Sequence, residues 1–352
     1  MNIQDILAAL STVLNGIPQA VLALTYGFAA FPTALGFFIG CAGMLLFGQV
    51  APISFQAESI VLAGTLGKNR SERLSIVLFA GILMAVLGAF GALNAVTGFI
   101  GTAILSSMMA GVGIMLAKCG IDMVKEDHLA GGVSFASGLI VYFLSKNLIY
   151  TVAVSVVISS VVWSLRNKQK NDQQANYADM GNERFHIVKP QMSLRLLRSV
   201  LAVCTLQIGG NIAYAGVTGQ LAAQKVNVDF VTIYSGLADA ASALFGGGPV
   251  EAIISSTGLA PHPTAAGVLM MLIMAIILLT KALPKIARYI PSQSIAGFLF
   301  ILGAIVVFPS NALAGIQESS VVSGVTILVT ATIDPFVGMI SGVLVRAVTA
   351  LL

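Results

Sequence analysis

The chain has 352 residues, of which 57% are hydrophobic and only 9% are charged, and its net charge is +4. Soluble domains carry about 25% charged residues, so this composition excludes a soluble globule and predicts an all-α polytopic membrane protein. The small net charge gives no reason to expect a nucleic-acid partner. The cysteines show no metal-ligand spacing, and no catalytic set or nucleotide-binding loop is visible. We therefore expect no enzyme, no cofactor and no metal site.

Seven hydrophobic segments precede the only long polar stretch of the chain. The third is short, begins after Pro52, ends near Gly67 and carries Glu58 close to its start. Breakers at both ends of so short a run predict a segment that is interrupted within the membrane. The seven predicted segments are 6–31, 33–47, 53–66, 74–96, 100–117, 129–144 and 148–165.

The polar stretch, residues 166–193, is rich in Asn and Gln and is predicted to be an extramembrane linker. Seven more segments follow it, and the tenth of the chain is again short. The 11 residues between Pro249 and Pro261 would cover, as a helix, roughly half of a ~30 Å hydrocarbon core. These later segments are predicted at 194–221, 228–245, 250–260, 265–279, 294–308, 321–332 and 335–351.

The two halves of the chain, 1–165 and 194–352, have the same order of segments, which indicates an internal repeat. Each third segment is short, follows a proline and opens with a glutamate, Glu58 in one half and Glu251 in the other. Because each half has an odd number of segments, the two repeats must be inverted across the membrane.

Short, Gly/Pro-interrupted segments at matching positions of inverted halves predict a transport site at the membrane midplane. Their helix N-termini would offer backbone N–H groups to a substrate, with close approach allowed at Gly247 and Gly248. Glu251, in the first turn of the tenth segment, is predicted to bind substrate and a proton, or simply to cap its own helix. Glu58 and Asp239 are predicted as further proton sites, with a structural role as the alternative for each.

Amide side chains inside the apolar segments are the other candidates for substrate contact. Gln19 lies in the first segment, and Gln207 and Asn211 lie in the eighth, its repeat mate. Such amides bind ligands or join helices by hydrogen bonds. Phe55, at the start of the third segment, is assigned to the same substrate site. The coupling ion is predicted to be a proton or sodium. Asp334, directly before Pro335, is predicted to cap a helix.

The stretch around the tenth segment resembles a known family. Leu237-Ala238-Asp239-Ala240, Pro249-Val250-Glu251 and the residues up to Val268 are similar to segments nine to eleven of the nucleobase:cation symporter-2 family, nearest to its adenine/guanine/hypoxanthine permeases. The resemblance implies the uracil-permease fold, with a core and a gate domain, and uptake of a purine-like nucleobase with protons. We predict a core domain of 1–97 plus 194–282 and a gate domain of 98–165 plus 283–352, and we expect an elevator-like movement of core against gate. The family usually has an acidic residue in segment eight, where this chain reads Gln207-Ile-Gly-Gly-Asn211.

Two alternatives remain open at the level of sequence. The same fold serves transporters of sulfate or carboxylate-type anions, and a membrane scaffold without transport activity is the second alternative. A basic residue in or beside the short segments would favour an anion, and none lies within 53–66 or 250–260. The predicted partners are a small-molecule substrate, the lipid bilayer and a second copy of the chain in a homodimer.

We predict a multi-pass protein of a bacterial-type plasma membrane, but two observations disagree about its orientation. Of the 18 basic residues, only Lys146, Lys225 and Arg346 do not follow an odd-numbered segment. The positive-inside rule therefore predicts that both chain termini lie outside the cell. The family resemblance implies that both termini lie in the cytoplasm.

Overall fold

The computed structural model describes residues 1–166, 185, 187–287 and 289–351, and these are mostly helical. Of the predicted linker, residues 167–184 and 186 lie outside the described part, and 187–193 form no helix or strand. The first half consists of α1 (Ile3–Thr25), α2 (Ala30–Leu46), β1 (Ile53–Ser54), α3 (Ala57–Leu66), α4 (Arg70–Ala89), α5 (Ala92–Glu126), α6 (His128–Ser145) and α7 (Leu148–Arg166).

The second half repeats this order, but near its end one long helical span changes helix type along its length. A 3-10 turn, a π-helical turn and two α-helices together form the continuous span 292–318. The elements are α8 (Leu194–Leu221), α9 (Val228–Leu244), β2 (Glu251–Ala252), a 3-10 turn (Ser256–Leu259), α10 (Pro263–Leu279), α11 (Leu283–Ala287), α12 (Ala296–Ile301), α13 (Phe308–Glu318), α14 (Ser320–Thr332) and α15 (Pro335–Thr349).

The predicted fold class is confirmed. Within the described residues, 7 helices are long and apolar enough to cross a membrane, and shorter apolar helices lie between them. With β1 plus α3 as the third segment and β2 plus its 3-10 turn as the tenth, the elements form two sets of seven segments. The chain is a multi-pass membrane protein with an inverted repeat and two interrupted segments.

The tenth segment is not the short helix that its length suggested. Gly246 takes a left-handed φ of 97°, Pro249 has no N–H to offer a helix, and Ile253 and Ile254 are β-branched. The chain is therefore extended where β2 forms, and only Ser256–Leu259 turn as a 3-10 helix. Glu251 consequently lies in a strand and not in the first turn of a helix.

The two interrupted segments meet at the centre of the molecule. β1 and β2 pair antiparallel, with Ile53 opposite Ala252 and Ser54 opposite Glu251. The Ile253 N–H extends the pairing by donating to the Pro52 carbonyl oxygen at 3.3 Å. This pairing satisfies backbone groups that would otherwise be unpaired inside the membrane.

Two groups of helices pack around this centre. In the first, α4 packs on α9, and α2 packs on α9 and α10. A Cβ atom at Gly81 would lie 2.6 Å from the Gly236 carbonyl oxygen, so α4 and α9 approach with their backbones in contact. In the second, α5 packs on α13 and α14, and α6 packs on α7 and α12. The predicted boundaries of the core and gate domains remain a prediction.

Hydrogen bonds between segment ends define two faces of the molecule. Arg73 donates to the Tyr26 carbonyl oxygen, and Arg195 donates to that of Leu66, at the face where odd-numbered segments end. We call this the basic face. At the opposite, terminal face, the Asp5 carboxylate pairs with His262 at 3.0 Å. The two faces thus follow the alternation expected of fourteen crossings.

Candidate functional site

The central cavity lies between the two helix groups and has a volume of about 570 Å³. Its walls come from α1, α3, α8 and segment 10 on one side, and from α5 and the start of span 292–318 on the other. It extends toward the basic face, because Met123, Glu126 and Ser292 line it. Its other lining residues are Asn15, Gln19, Leu22, Gln56, Ala57, Glu58, Val112, Met115, Leu116, Cys119, Tyr214, Ile253, Ile254, Ile295, Phe298, Leu299 and Leu302.

The N-terminal end of α3 opens into this cavity. Gln56 precedes the helix but does not cap it, because its side-chain Nε2 donates instead to the Ala252 carbonyl oxygen at 3.3 Å. The first-turn N–H groups of a helix have no partner within that helix. Glu58, in that first turn, is exposed and lines the cavity. The site therefore combines helix N–H donors with one carboxyl group.

Two amides of α1 complete the polar wall. Asn15 and Gln19 are four residues apart and both line the central cavity, so they lie on one face of the helix. Their side-chain oxygen atoms are enclosed and have no hydrogen-bond partner among the described residues. Amides that are not used to join helices are available to a ligand.

A second, lateral cavity of about 550 Å³ adjoins the central one, and both are lined by Ala57, Glu58, Met115 and Tyr214. Its remaining walls come from α3, α8 and the loop before α15. They consist of Val61, Leu62, Thr65, Ala202, Thr205, Leu206, Ile333, Asp334 and Pro335. Glu58 and Tyr214 therefore stand at the junction of two limbs of one larger space.

A smaller cavity, which we call the vestibule, continues from the lateral cavity to the basic face. It has a volume of about 300 Å³, and it shares Thr65 and Ala202 with the lateral cavity. Arg195 and Arg198 line it. Arg195 donates to the Leu66 carbonyl oxygen at 3.0 Å, while its other guanidinium nitrogen lies 3.9 Å from Glu72. Arg198 is exposed and has no acidic partner among the described residues.

Behind the cavity wall, two buried carboxylates share one amide donor. The Nε2 atom of Gln207 donates to Asp239 at 2.8 Å and to Glu251 at 2.7 Å. Asp239 also accepts from the Val250 N–H at 2.6 Å. Neither carboxylate has a cationic partner among the described residues. Ser59, next to Glu58 on α3, is a further hydrogen-bonding partner of Glu251.

Of the predicted substrate contacts, Gln19 lines the central cavity, and so does Glu58 of the predicted proton sites. Glu251 is only 5% exposed and lines neither large cavity. Asp239 and Gln207 are also buried, and they too line neither large cavity. The structure thus brings one of the two repeat-mate glutamates to the cavity and encloses the other.

The remaining predicted contacts serve packing. Gly247 and Gly248 lie against α2, where the Gly248 N–H donates to Thr33 Oγ1 at 2.8 Å. Asn211 donates to hydroxyl groups of α9. Phe55 is buried and packs against Phe37, with 5.6 Å between ring centroids. None of the four lines the central or the lateral cavity.

Sequence reasoning did not assign several residues that line these cavities. Gln56 and Tyr214 carried no signal beyond being polar side chains within apolar segments. In the sequence, Arg195 and Arg198 indicate only the orientation of the protein in the membrane, because they lie about 130 residues along the chain from Leu66. Their place beside the end of α3 becomes visible only in three dimensions.

No protein-family model matches the sequence, and no curated protein sequence matches it. Solved structures of membrane transporters are similar to it along nearly its whole length. The transmembrane domain of BicA, a bicarbonate transporter of a cyanobacterium, superposes with a TM-score of 0.56 at 15% identity, over 97% of each chain. The chain has the inverted-repeat fold of these transporters.

Two structures of SLC26A9 are also similar. The murine Slc26a9 anion transporter in its inward-facing state gives a TM-score of 0.61 at 14% identity, and 99% of this chain covers 68% of that one. A second structure of SLC26A9 gives a TM-score of 0.56, also at 14% identity, over 99% of this chain and 65% of that one. Identities this low establish the fold and nothing finer.

The predicted membership of the nucleobase:cation symporter-2 family is wrong. The similar solved structures are a bicarbonate transporter and an anion transporter. The motif that suggested the family has a structural explanation. A Cβ atom at Gly36 would lie 2.6 Å from Val250, and Asp239 accepts from the Val250 N–H. Gly247 packs on Thr33 of α2. These contacts hold the fold together, so the motif is explained by packing without nucleobase chemistry.

Proposed function

We propose that this protein is a secondary transporter that moves a small anion together with a proton. The observation that carries the proposal is a row of adjoining cavities from Arg195 and Arg198 on the basic face to the start of α3. An anion on this route meets positive charge at the entrance and backbone N–H groups at the end. The likeness to anion and bicarbonate transporters supports the same function.

The two arginines of the vestibule attract an anion but do not bind it tightly. An exposed arginine raises the local concentration of anions at a mouth with low-dielectric walls. The Arg195 side chain is 49% exposed, and Arg198 is exposed as well, so both remain hydrated. The sequence has no basic residue inside the third segment, and the arginines of α8 supply the positive charge for an anion instead.

Glu58 determines the charge balance at the end of the route. At about 4 Å, two like charges repel by about 1 kcal/mol in water and about 4 kcal/mol at the effective dielectric of a protein surface. An ionised Glu58 therefore opposes an anion at the start of α3, whereas a protonated Glu58 donates its O–H to it. Binding of the anion and binding of the proton favour each other, which is the thermodynamic basis of symport.

The buried network of Asp239, Gln207 and Glu251 is the second candidate for holding the transported proton. Two ionised carboxylates without a cationic partner are costly in the membrane interior. One proton on the pair removes one of the charges and leaves the Gln207 hydrogen bonds in place. Ser59 joins this network to the helix that carries Glu58. Glu58 lines the cavity and meets the anion directly, so its proton is the first candidate to accompany the anion.

The position of the cavity suits an elevator movement. One wall belongs to the predicted core domain, through α1, α3 and α8, and the other belongs to the predicted gate domain, through α5 and span 292–318. A shift of the first group against the second carries the start of α3 from one side of the membrane to the other. The boundary between the groups runs through the cavity itself.

Uptake by proteoliposomes tests this function. Chloride, bicarbonate, sulfate and acetate are offered with and without an inward proton gradient, and a sodium gradient serves as the comparison. We expect uptake of at least one anion that a proton gradient accelerates and a sodium gradient does not. Absence of uptake for every anion, with folded protein in the vesicles, would contradict the proposal.

Charge reversal at the vestibule provides a matched test of the route. Arg198→Glu should raise the KM for the anion about tenfold at low salt, and the effect should shrink near 1 M salt, where the Debye length is about 3 Å. Lys285→Glu is the control, because Lys285 is exposed on the same face and lines none of the three cavities. Equal effects of the two variants would show that the anion does not enter through the vestibule.

A further inference from the structure

The space around Glu58 is much larger than an inorganic anion requires. The central and lateral cavities have volumes of about 570 and 550 Å³ and meet at Glu58 and Tyr214. A water molecule takes about 30 Å³ of liquid, and cavities of about 300–1,000 Å³ are typical for organic ligands. The size of the junction therefore favours a substrate with a carbon body.

The lateral cavity offers that body an apolar wall. Val61, Leu62, Leu206 and Ile333 line it, and Met115 lines it at the junction. An apolar body that leaves water for such a wall gains free energy in proportion to the area it buries.

Away from Glu58 and Tyr214 at the junction, three polar side chains line the lateral cavity, and each already has a partner. Thr205 Oγ1 donates to the Ala202 carbonyl oxygen at 2.8 Å, and Thr65 Oγ1 donates to that of Val61 at 2.8 Å. Asp334 caps α15 by accepting from the Val337 N–H at 2.8 Å. The hydroxyl hydrogens of the two threonines are thus used within the protein, and the Asp334 carboxylate has no donor to offer an anion. Away from Glu58, the lateral cavity thus presents mainly apolar surface to a ligand.

The polar groups without partners gather at the junction and in the central cavity. The Glu58 carboxyl group and the first-turn N–H groups of α3 meet there, and the amides of Asn15 and Gln19 lie in the same wall. The donors for a single carboxylate at this polar end are the α3 N–H groups, a protonated Glu58 and the NH2 groups of the amides, since amide oxygens only accept. The lateral cavity forms the apolar limb. A carboxylate beside a protonated Glu58 forms an O–H···O hydrogen bond, which is among the short, strong ones.

We propose that the substrate is a monocarboxylate with an aliphatic or aromatic body, bound with its carboxylate at the start of α3 and its body in the lateral cavity. This inference rests on the proposed anion transport and narrows it to one chemical class. It also gives the apolar wall of the lateral cavity a role beyond passage, since an inorganic anion would have no use for that wall.

The test is calorimetric binding of acetate, butyrate, hexanoate and benzoate to the full-length protein in detergent. Chloride and bicarbonate are measured beside them, and 1-hexanol is the control for apolar partition into the micelle. Each methylene that leaves water should tighten binding about threefold to fourfold. Hexanoate should therefore bind on the order of 100-fold more tightly than acetate, and 1-hexanol should show no saturable binding.

A tryptophan at Leu206 tests where the body lies. Leu206→Trp places a larger side chain in the lateral cavity and should reduce the advantage of hexanoate over acetate severalfold. Leu201→Trp is the matched control on the same helix, because Leu201 is 48% exposed and lines neither cavity. This control should keep the full ratio, and an unchanged ratio in Leu206→Trp would overturn the placement.

The outcomes separate this inference from the proposed function. If bicarbonate or chloride binds and is transported, but hexanoate binds no more tightly than acetate, the inference fails and anion transport stands. If no anion in the series binds or is transported, both fail. Saturable binding of 1-hexanol with the affinity of hexanoate also overturns the inference, because the carboxylate would then contribute nothing.

Discussion

The amide of Gln207 provides the sharpest stability prediction. Its two N–H groups donate to Asp239 and Glu251 inside the membrane domain. Gln207→Leu keeps the approximate size of the side chain and removes both donors. Hydrogen bonds to charged groups contribute about 1.5–3 kcal/mol each, so the free energy of unfolding should fall by about 3–6 kcal/mol if both acceptors are ionised, and by less if one carries a proton.

Gln220→Leu is the matched control, since Gln220 lies on the same helix and exchanges two hydrogen bonds with Asn311, both at 3.0 Å. Neutral hydrogen bonds contribute about 0.5–1.5 kcal/mol each, which gives a loss of about 1–3 kcal/mol. The assay is thermal unfolding of both variants in the same detergent and buffer. Equal losses would refute the reasoning, because they would mean that neither carboxylate bears charge beside Gln207.

Two further predictions concern packing and orientation. Gly81→Ala forces a Cβ atom to within 2.6 Å of the Gly236 carbonyl oxygen and should cost about 1–3 kcal/mol of stability. The control is Gly324→Ala, whose added Cβ atom meets nothing within 4 Å and should leave the thermal midpoint unchanged. Equal behaviour of the two variants would contradict the close approach of α4 and α9. A cysteine introduced at Ser71 on the basic face should react with a membrane-impermeant maleimide only in opened vesicles. A cysteine introduced at Gln4 on the terminal face should react in intact cells. The reverse pattern would show that the termini are cytoplasmic.

The fold was accessible from the sequence because hydrophobic run length and breakers are direct consequences of the bilayer. The predicted cap at Asp334 is confirmed, since its carboxylate accepts from the Val337 N–H. The tenth segment escaped prediction because an eleven-residue apolar run is equally compatible with a helix or with a strand followed by a turn. The strand forms only because β1 is available as a pairing partner. Gly246, Pro249 and the two adjacent isoleucines disfavour a helix here, but they do not by themselves specify a strand.

The site was harder to predict, because repeat symmetry in sequence does not guarantee symmetry of exposure. Glu58 and Glu251 hold matching positions, but one lies in a helix that faces the cavity and the other lies in a strand that faces α8 and α9. The resemblance also directed attention to Glu251. The basic residues that favour an anion come from α8 and lie far along the chain from the short segments, so no pattern within those segments indicates them.

Glu58 is the residue on which coupling of the anion to a proton depends most directly. Uptake of an anion by proteoliposomes is measured together with internal pH, for the wild type and for Glu58→Gln, which keeps the shape and a hydrogen-bond donor but cannot exchange a proton. We predict that the wild type acidifies the lumen as the anion enters, and that Glu58→Gln either stops uptake or moves the anion without acidification. Anion entry with unchanged acidification in Glu58→Gln would contradict the central role of this residue.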